Sequence, residues 1–228
     1  MAQTVRETPR VSVNSLAEYL VAGAARRQKI ILEQKRPKDF QVIYYAEAEE
    51  AIIDHLISQR KGTTGFDTAL SRLQFNGHLK EWELTRRSTG IEAIQAFREF
   101  AGDIPLADLR VKRGPTSPRL LQVGGVGVSV RPELHLNYPD EEKKGIGAIK
   151  LYFSKNDPLT ADRACYVATV LHQYIETQYP KAGKADYRVC FVVDVFAKRS
   201  FWAPRNHKRK QQDVEAACRE IAIAWPFA

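Results

Sequence analysis

The sequence predicts an α+β (or α/β) protein, with a helical N-terminal region followed by a mixed β-sheet that is flanked by helices. Three observations lead to this prediction. Apolar residues recur with a helical period through roughly the first hundred residues, alternation of polar and apolar residues appears only afterwards, and a stretch with three prolines separates the two. We therefore divide the chain into a helical region (1–102), a linker (103–118) and a sheet domain (119–228), with helix 91–101 as a candidate member of the sheet domain's core.

Helical signals follow one another after a terminus, residues 1–13, that we expect to be mobile. Asn14 and Ser15 provide a cap for the first helix, and Glu18 completes a capping-box pattern three residues after Ser15. The acidic residues of the longest helix, Glu49 among them, are interpreted as its solvent-exposed face. Helices are predicted over residues 16–23, 24–34, 39–59, 66–85 (partly irregular) and 91–100, the last opening at Ser88-Thr89-Gly90.

Strand signals begin after residue 118. The run 126–138 is interpreted as one long, bent strand. The run 187–195 is apolar almost throughout, so it is expected to be a central strand that is covered on both faces. In chain order the second half is predicted to form strands 119–123, 126–138 and 146–153, helix 159–178, strand 187–195, a short hairpin arm at 196–204 and helix 211–224.

Polar side chains occupy one face of strands 126–138 and 146–153. Successive side chains of a strand point to opposite faces, so pairing of the two strands places Glu133, His135 and Lys150 on one surface. This surface is the candidate catalytic site that the sequence indicates. The structural alternative is a cross-strand ion pair between Glu133 and Lys150 on a solvated sheet face.

Positive charge is clustered, and it favours a polyanionic partner, DNA or RNA. The net charge is +8, and clustered Lys and Arg side chains release counterions when they neutralise phosphates. A solvated, solubilising surface is the alternative. One further cluster lies at Arg26, Arg27, Lys29, Lys35, Arg36 and Lys38. The candidate nucleic-acid-binding residues are Arg110, Lys112, Arg113, Arg119, Arg131, Arg205, Lys208, Arg209 and Lys210.

Several protein classes are disfavoured by the sequence. No apolar run approaches the roughly 18 residues that a membrane span needs, and no apolar segment follows Met1 as it would in a secretory signal. The three cysteines are far apart, which argues against a disulfide framework or a zinc site. No phosphate-binding loop, dinucleotide fingerprint or nucleophile elbow is present. We expect a cytoplasmic protein without a membrane partner.

The predicted order of helix, three strands, helix and strand resembles the core of the PD-(D/E)XK nuclease superfamily, over about residues 90–195. In that superfamily an acid on the second strand and an acid-x-Lys on the third hold magnesium and position water. Glu133 matches the first acid and Lys150 matches the lysine. Gln173 and Tyr174 resemble the Gln and Tyr that exonuclease-like branches carry on the following helix. The resemblance implies a Mg²⁺-dependent phosphodiesterase.

The sequence departs from this pattern at Ala148, which stands two residues before Lys150 where the superfamily has an acid. A second carboxylate would then come from elsewhere in the chain. The candidates are Glu92, Asp140 and Asp194. His135 is a candidate metal ligand or proton relay, and Asp194 could equally accept hydrogen bonds from the turn at 196–204.

Three functions remain open at this point. The first is a metal-dependent nuclease with Glu133, Lys150, His135 and Gln173 in the catalytic set. The second is a catalytically inactive nucleic-acid-binding module, which Ala148 favours. The third is a protein-assembly component that contacts a protein partner through the helical N-terminal region.

Overall fold

The computed structural model describes residues 5–37, 45–58, 64–74, 80–139 and 145–228. In chain order the elements are β1 (Arg10–Ser12), α1 (Val13–Val21), α2 (Ala24–Lys35), α3 (Ala46–Ile57), α4 (Thr64–Gln74), α5 (Glu81–Phe100), β2 (Arg110–Arg113), β3 (Arg119–Val123), β4 (Val126–Val130), β5 (Leu134–Asn137), β6 (Gly145–Tyr152), α6 (Ala161–Gln178), β7 (Lys184–Asp194), β8 (Arg199–Trp202) and α7 (His207–Ala224).

The strands form two sheets, and the predicted α+β class is confirmed. A five-stranded sheet has the order β2-β5-β6-β7-β8, and a three-stranded sheet has the order β1-β4-β3. In the larger sheet β6 and β7 are parallel and α6 connects them, whereas the other neighbouring strands are antiparallel. The larger sheet is therefore mixed, as the sequence predicts.

Helices cover both faces of the five-stranded sheet, so β7 is buried from Val189 to Asp194. On one face α1, α2, α6 and α7 pack with the small sheet around residues such as Leu16, Val167 and Cys218. On the other face α3, α4 and α5 pack around residues such as Ile52 and Phe97. The N-terminal helices thus contribute to both hydrophobic cores, and each core also contains residues from the sheet.

The predicted single strand 126–138 is wrong in detail, because the chain breaks at Pro132 and changes sheets there. Proline offers no N–H group to a strand ladder, and it restricts the residue before it. Consequently β4 pairs with β1 and β3, whereas β5 pairs with β2 and β6. The predicted first strand, 119–123, is β3 and lies in the small sheet, so the strands of the larger sheet that precede α6 are β2, β5 and β6.

Other boundaries also differ from the predictions. The N-cap of α1 is Ser12, whose Oγ accepts a hydrogen bond from the backbone N–H of Ser15 at 3.1 Å. The strands β1 and β2 lie in segments that the sequence predicts to be terminus and linker. The helix α5 begins at Glu81 and continues through Gly90. Gly90 is buried, and a Cβ atom there would lie 3.3 Å from Leu73, so the glycine permits close packing of α4 against α5.

Several predictions lie outside the described residues. These are the start of the longest helix at Asp39, the break at Lys61 and the candidate carboxylate Asp140. Within the described part of the chain, no helix combines the length and the apolar character that crossing a membrane requires. All three cysteines are free thiols.

Candidate active site

Glu133 is held at the start of β5 by the backbone on both sides. Its N–H donates to the Ile149 carbonyl at 2.9 Å, and its own carbonyl accepts from the Gly114 N–H at 2.8 Å. A Cβ atom at Gly114 would lie 2.1 Å from the Pro132 carbonyl oxygen, so only glycine allows the chain to pass so close to this peptide. The Glu133 side chain is only 1% exposed, and its Oε2 accepts the Leu151 N–H at 2.6 Å.

The Lys150 side chain meets Glu133 in the interior. Its Nζ lies 3.4 Å from Glu133 Oε1 and donates to the Arg131 carbonyl at 3.2 Å. The Lys150 side chain is only 11% exposed. Its ammonium group is held in place by the Glu133 carboxylate and the Arg131 carbonyl. The pair of residues that strand alternation places on one surface is therefore in direct contact.

A second carboxylate reaches this position from helix α3. Glu49 Oε1 lies 2.6 Å from Arg131 Nη2, and Glu133 Oε1 lies 3.3 Å from the same nitrogen. Two oxygens that share one neighbour at these distances lie within about 6 Å of each other. Glu49 and Glu133 thus converge on a single position, and the cation in that position is the guanidinium of Arg131.

The interpretation of Glu49 as part of a solvent-exposed helix face is wrong. Its side chain is only 17% exposed and forms an ion pair with Arg131. A sequence signal for this position does exist. Tyr45 lies four residues before Glu49 and the buried Ile53 lies four residues after it, so Glu49 belongs to a row of α3 that faces the protein.

The electrostatics of the cluster follow from its partial burial. Burial raises the pKa of Glu49, and the negative charge of Glu133 raises it further, while Arg131 and Lys150 oppose both effects. Burial alone would lower the pKa of Arg131, but Glu133 and Glu49 more than reverse this, so its pKa is raised and its cation is favoured. Two carboxylates and two cations thus lie together, and their formal charges cancel. We call this group the Glu49–Lys150 cluster (Glu49, Arg131, Glu133, Lys150).

Glu49 and Glu133 are the two side chains of this cluster that could hold a Mg²⁺ ion. Magnesium takes oxygen ligands, keeps several of its waters and is commonly bound by one or two carboxylates. Glu49 and Glu133 supply two carboxylate oxygens that already converge on one cationic group. Arg131 is 35% exposed, so its side chain can leave this position towards solvent.

The two predicted metal ligands Glu92 and Asp194 have other partners in the structure. Glu92 is exposed on α5 and pairs with Lys155 at 2.8 Å. Asp194 is fully buried, and its carboxylate accepts the N–H groups of Leu159 at 2.8 Å and Ala197 at 3.1 Å. Burial raises the pKa of Asp194, although these backbone hydrogen bonds oppose the shift. Among the described residues, neither carboxylate shares a hydrogen-bond or ion-pair partner with Glu133.

Among the described residues, His135 and Gln173 share no hydrogen bond or ion pair with the Glu49–Lys150 cluster. His135 lies opposite Ala148 in the β5–β6 pair. Its ring meets the Tyr179 ring edge-on, with 4.6 Å between the ring centroids. It lines a small cavity of about 240 Å³ beside Lys112, and burial lowers its pKa. Gln173 lies on α6, and its Oε1 is buried without a hydrogen-bond partner among the described residues. Among the described residues, no group of three or more His, Cys, Asp or Glu side chains has a metal-binding arrangement.

The basic residues divide into paired and unpaired groups. Arg113 pairs with Glu50 at 2.7 Å and Asp54 at 2.6 Å, and Arg131 pairs with the two carboxylates described above. Arg119 stacks over the Tyr179 ring, and Lys210 lies over the Tyr166 ring and hydrogen-bonds its hydroxyl. The following candidates are exposed and form no ion pair within the described residues: Arg110, Lys112, Arg205, Lys208 and Arg209.

Described members of the N-terminal basic cluster are bound by other groups of the protein. Arg26 pairs with Glu18 and Glu33 at 2.6 and 3.0 Å, and Lys35 donates to the carbonyl groups of Trp225 and Ala228 at 2.8 Å each. These contacts join α2 to α1 and to the C-terminal residues. This cluster therefore stabilises the fold, in contrast to the exposed cations near β2 and α7.

Comparison with known proteins gives no assignment for this arrangement. No protein-family model matches the chain, and no match was found among curated proteins. The case for a function therefore depends on the geometry of the Glu49–Lys150 cluster and on the distribution of charge around it.

Proposed function

We propose that the chain is a cytoplasmic nucleic-acid-binding protein that cleaves phosphodiester bonds of DNA or RNA with the help of Mg²⁺. One observation carries this proposal: Glu49 and Glu133 converge on a single cation position, and the Lys150 ammonium lies beside it. The resemblance to the PD-(D/E)XK superfamily implies two acids and a lysine on paired strands, and here Glu133 and Lys150 lie at paired strands whereas Glu49 comes from α3. Glu49 takes the place of the acid that is missing at position 148.

Each residue of the cluster has a role that follows from its contacts. Glu49 and Glu133 would hold a Mg²⁺ ion, which neutralises charge at the scissile phosphate and favours ionisation of an attacking water. Lys150 is oriented by Glu133 and the Arg131 carbonyl, so its ammonium group can stabilise the negative charge that develops on the phosphate oxygens. Arg131, once it has left the two carboxylates, is a cation that can pair with a neighbouring phosphate.

Nucleic-acid binding would use the exposed cations. Arg110 and Lys112 lie on β2, an edge strand of the larger sheet that pairs with β5 next to Glu133. Lys208 and Arg209 lie at the start of α7. Since such contacts act through phosphate charge, we expect binding to weaken steeply as the salt concentration rises.

A catalytically inactive nucleic-acid-binding module is the second candidate. The observation in its favour is that the cluster is already complete without a metal ion. Arg131 fills the cation position, both Glu133 oxygens have donors, and the four charges balance. In this case the Glu49–Lys150 cluster would be a structural ion-pair network.

Cleavage assays distinguish the two candidates. The purified chain would be incubated with single- and double-stranded DNA and RNA, in the presence of Mg²⁺, Mn²⁺ or a chelator. We expect cleavage of at least one substrate that requires the metal ion. Glu49→Gln should lower the rate at least about tenfold. Glu50→Gln, which changes the next residue of α3 and removes one partner of Arg113, should leave the rate within about twofold.

Two results would contradict the proposal in different ways. Salt-sensitive binding without cleavage under every condition would support the inactive module. Neither binding nor cleavage, even at low salt, would contradict both candidates and favour the protein-assembly component that contacts a partner through its N-terminal helices.

A further inference from the structure

A cleft of about 740 Å³ lies at the end of the larger sheet that is remote from the Glu49–Lys150 cluster. It is bounded by the start of β7, the last turns of α6, the start of α7 and the end of β5. Gly145 lines this cleft, whereas Lys150 lies five residues further along β6, which corresponds to about 16 Å of extended strand. The cleft is therefore separate from the Glu49–Lys150 cluster.

Two histidines in the cleft have buried nitrogens without partners. His172 is only 2% exposed, and its Nδ1 has no hydrogen-bond partner among the described residues. The His207 ring lies against it, with 4.2 Å between the ring centroids, and the Nδ1 of His207 is likewise buried and unpaired among the described residues. Leaving a buried polar atom without a partner costs about 1–3 kcal/mol, so a hydrogen-bonding group that reached these two nitrogens would stabilise this part of the protein.

The start of helix α7 adds a positive end to the same cleft. The helix is 18 residues long and begins at His207. Its first turn contains no acidic residue but carries Lys208, Arg209 and Lys210, and Asn206 caps it without a side-chain hydrogen bond. Cations at a helix N-terminus oppose the helix dipole, whereas an anion there is stabilised by it. The N–H groups of His207, Arg209 and Lys210 already donate to the carbonyls of Pro204 and Asn206, so the dipole and the side chains would provide the attraction.

The remaining charges around the cleft leave it with an excess of cations. Asp186 is neutralised by Arg188, whose Nη2 lies 2.8 Å from its carboxylate. Glu176 is then opposed by two exposed lysines, Lys184 and Lys208, neither of which forms an ion pair within the described residues. The two other ionisable side chains that line the cleft are the phenols of Tyr138 and Tyr187. The described lining residues therefore carry a net positive charge even when both imidazoles are neutral.

We propose that this cleft binds a phosphate monoester, with the phosphate group between His172, His207 and the N-terminus of α7, close to Lys208. The phosphate oxygens would supply the partners that the two Nδ1 atoms lack. The volume exceeds what one phosphate needs and falls in the range of small-molecule sites, so it has room for the rest of a mononucleotide-sized ligand. This inference does not depend on the proposed nuclease activity.

Phosphate binding should be coupled to proton uptake. Burial lowers the pKa of His172, and the neighbouring His207 lowers it further, while Glu176, a backbone hydrogen bond to Ala185 and Asp186 act in the opposite direction. A bound anion raises the pKa of the imidazoles that contact it, because it favours their charged form. The affinity for an anion should therefore be highest below the lowered pKa of free His172 and fall as the pH rises from there towards the pKa of the bound state.

Calorimetric titration of the full chain tests the proposal. Inorganic phosphate should bind at one site per chain, and His207→Gln and Lys208→Gln should each weaken the binding at least about fivefold. Lys29→Gln is the matched control, since it removes the same charge from an exposed side chain on α2, and it should change the affinity less than about twofold. Adenosine monophosphate should compete with inorganic phosphate, whereas adenosine should not.

Sulfate isolates the contribution of the histidines, because its charge does not change in this pH range. Its affinity should fall at least about threefold between pH 6 and pH 8 in the native chain and less steeply in His172→Gln. Glu49→Gln should bind phosphate normally, even if it cleaves no nucleic acid. The proposal is overturned if phosphate shows no saturable binding at about 10 mM, or if Lys29→Gln weakens binding as much as Lys208→Gln does.

Discussion

Glu133→Gln is expected to lower metal-dependent phosphodiester cleavage by at least about 100-fold, because it removes the one carboxylate that contacts both Arg131 and Lys150 among the described residues. Glutamine has nearly the same shape, and its amide oxygen can still accept the Leu151 N–H that Glu133 accepts at 2.6 Å. The loss should therefore come from the missing charge and not from a change in the backbone. Initial rates at saturating Mg²⁺ would measure it.

Stability is the necessary control for this variant. Lys150 is largely buried, and without Glu133 its remaining hydrogen-bond partner within the described chain is the Arg131 carbonyl. Removing one partner of a buried ion pair commonly costs about 3–5 kcal/mol, so the free energy of unfolding should fall even though the shape is conserved. The rates must be compared at a temperature where both proteins are fully folded. Cleavage at the native rate by folded Glu133→Gln would contradict the catalytic assignment.

Gly147→Ala is expected to destabilise the protein by about 3 kcal/mol or more, because a methyl group has no room between the two central strands. A Cβ atom at this position would lie 2.1 Å from the carbonyl oxygen of Val189 and 2.5 Å from the carbonyl carbon. The register between β6 and β7 shifts at this point, between Ile146 and Ala148. Since both contacts are with backbone atoms, the parallel pair would have to separate locally.

Gly65→Ala is the matched control for this experiment. Gly65 lies in α4, and a Cβ atom added there would meet no described atom within 4 Å, so alanine should be neutral or stabilise the helix by up to about 1 kcal/mol. Chemical denaturation monitored by circular dichroism would measure both variants. Equal midpoints for Gly147→Ala and the native chain would show that the strands are not in such close contact.

The contact between Glu133 and Lys150 could be predicted from the sequence because both lie in runs with strand alternation. That alternation is a local signal, and strand pairing converts it directly into proximity. Glu49 could not be located in the same way. It lies 84 residues before Glu133, and only the packing of α3 against the sheet brings its carboxylate to Arg131. A helix-surface interpretation is the usual one for an acidic residue among Glu47, Glu49 and Glu50.

The break at Pro132 shows a second limit of local patterns. The alternation continues through 126–138 without interruption, so the sequence predicts one strand, although the chain changes from the small sheet to the larger one. Likewise the sequence predicts a linker where β2 lies, because three of its four residues are basic and prolines surround it. Pairing with β5 makes it the edge strand beside the Glu49–Lys150 cluster, and this pairing depends on residues far away in the sequence.

The distribution of charge required the structure for a similar reason. A count of basic residues treats Arg26, Arg113 and Lys208 alike. In the structure Arg26 pairs with Glu18 and Arg113 pairs with Glu50. Lys208 has no ion-pair partner within the described residues. Among the candidate nucleic-acid-binding residues, fewer are therefore available to a polyanion than the sequence suggests, because Arg113 and Arg131 are paired with carboxylates.

The binding of Mn²⁺ to the Glu49–Lys150 cluster tests the central claim most directly, because it does not require the correct nucleic-acid substrate. Electron paramagnetic resonance would follow the free Mn²⁺ signal as the native chain, Glu49→Gln and Arg131→Gln are added. We expect one Mn²⁺ per native chain and at least about tenfold weaker binding by Glu49→Gln. Arg131→Gln should bind at least about threefold more tightly, since the guanidinium no longer competes for the two carboxylates. An unchanged free Mn²⁺ signal with both the native chain and Arg131→Gln would contradict the claim and identify the cluster as a structural ion-pair network.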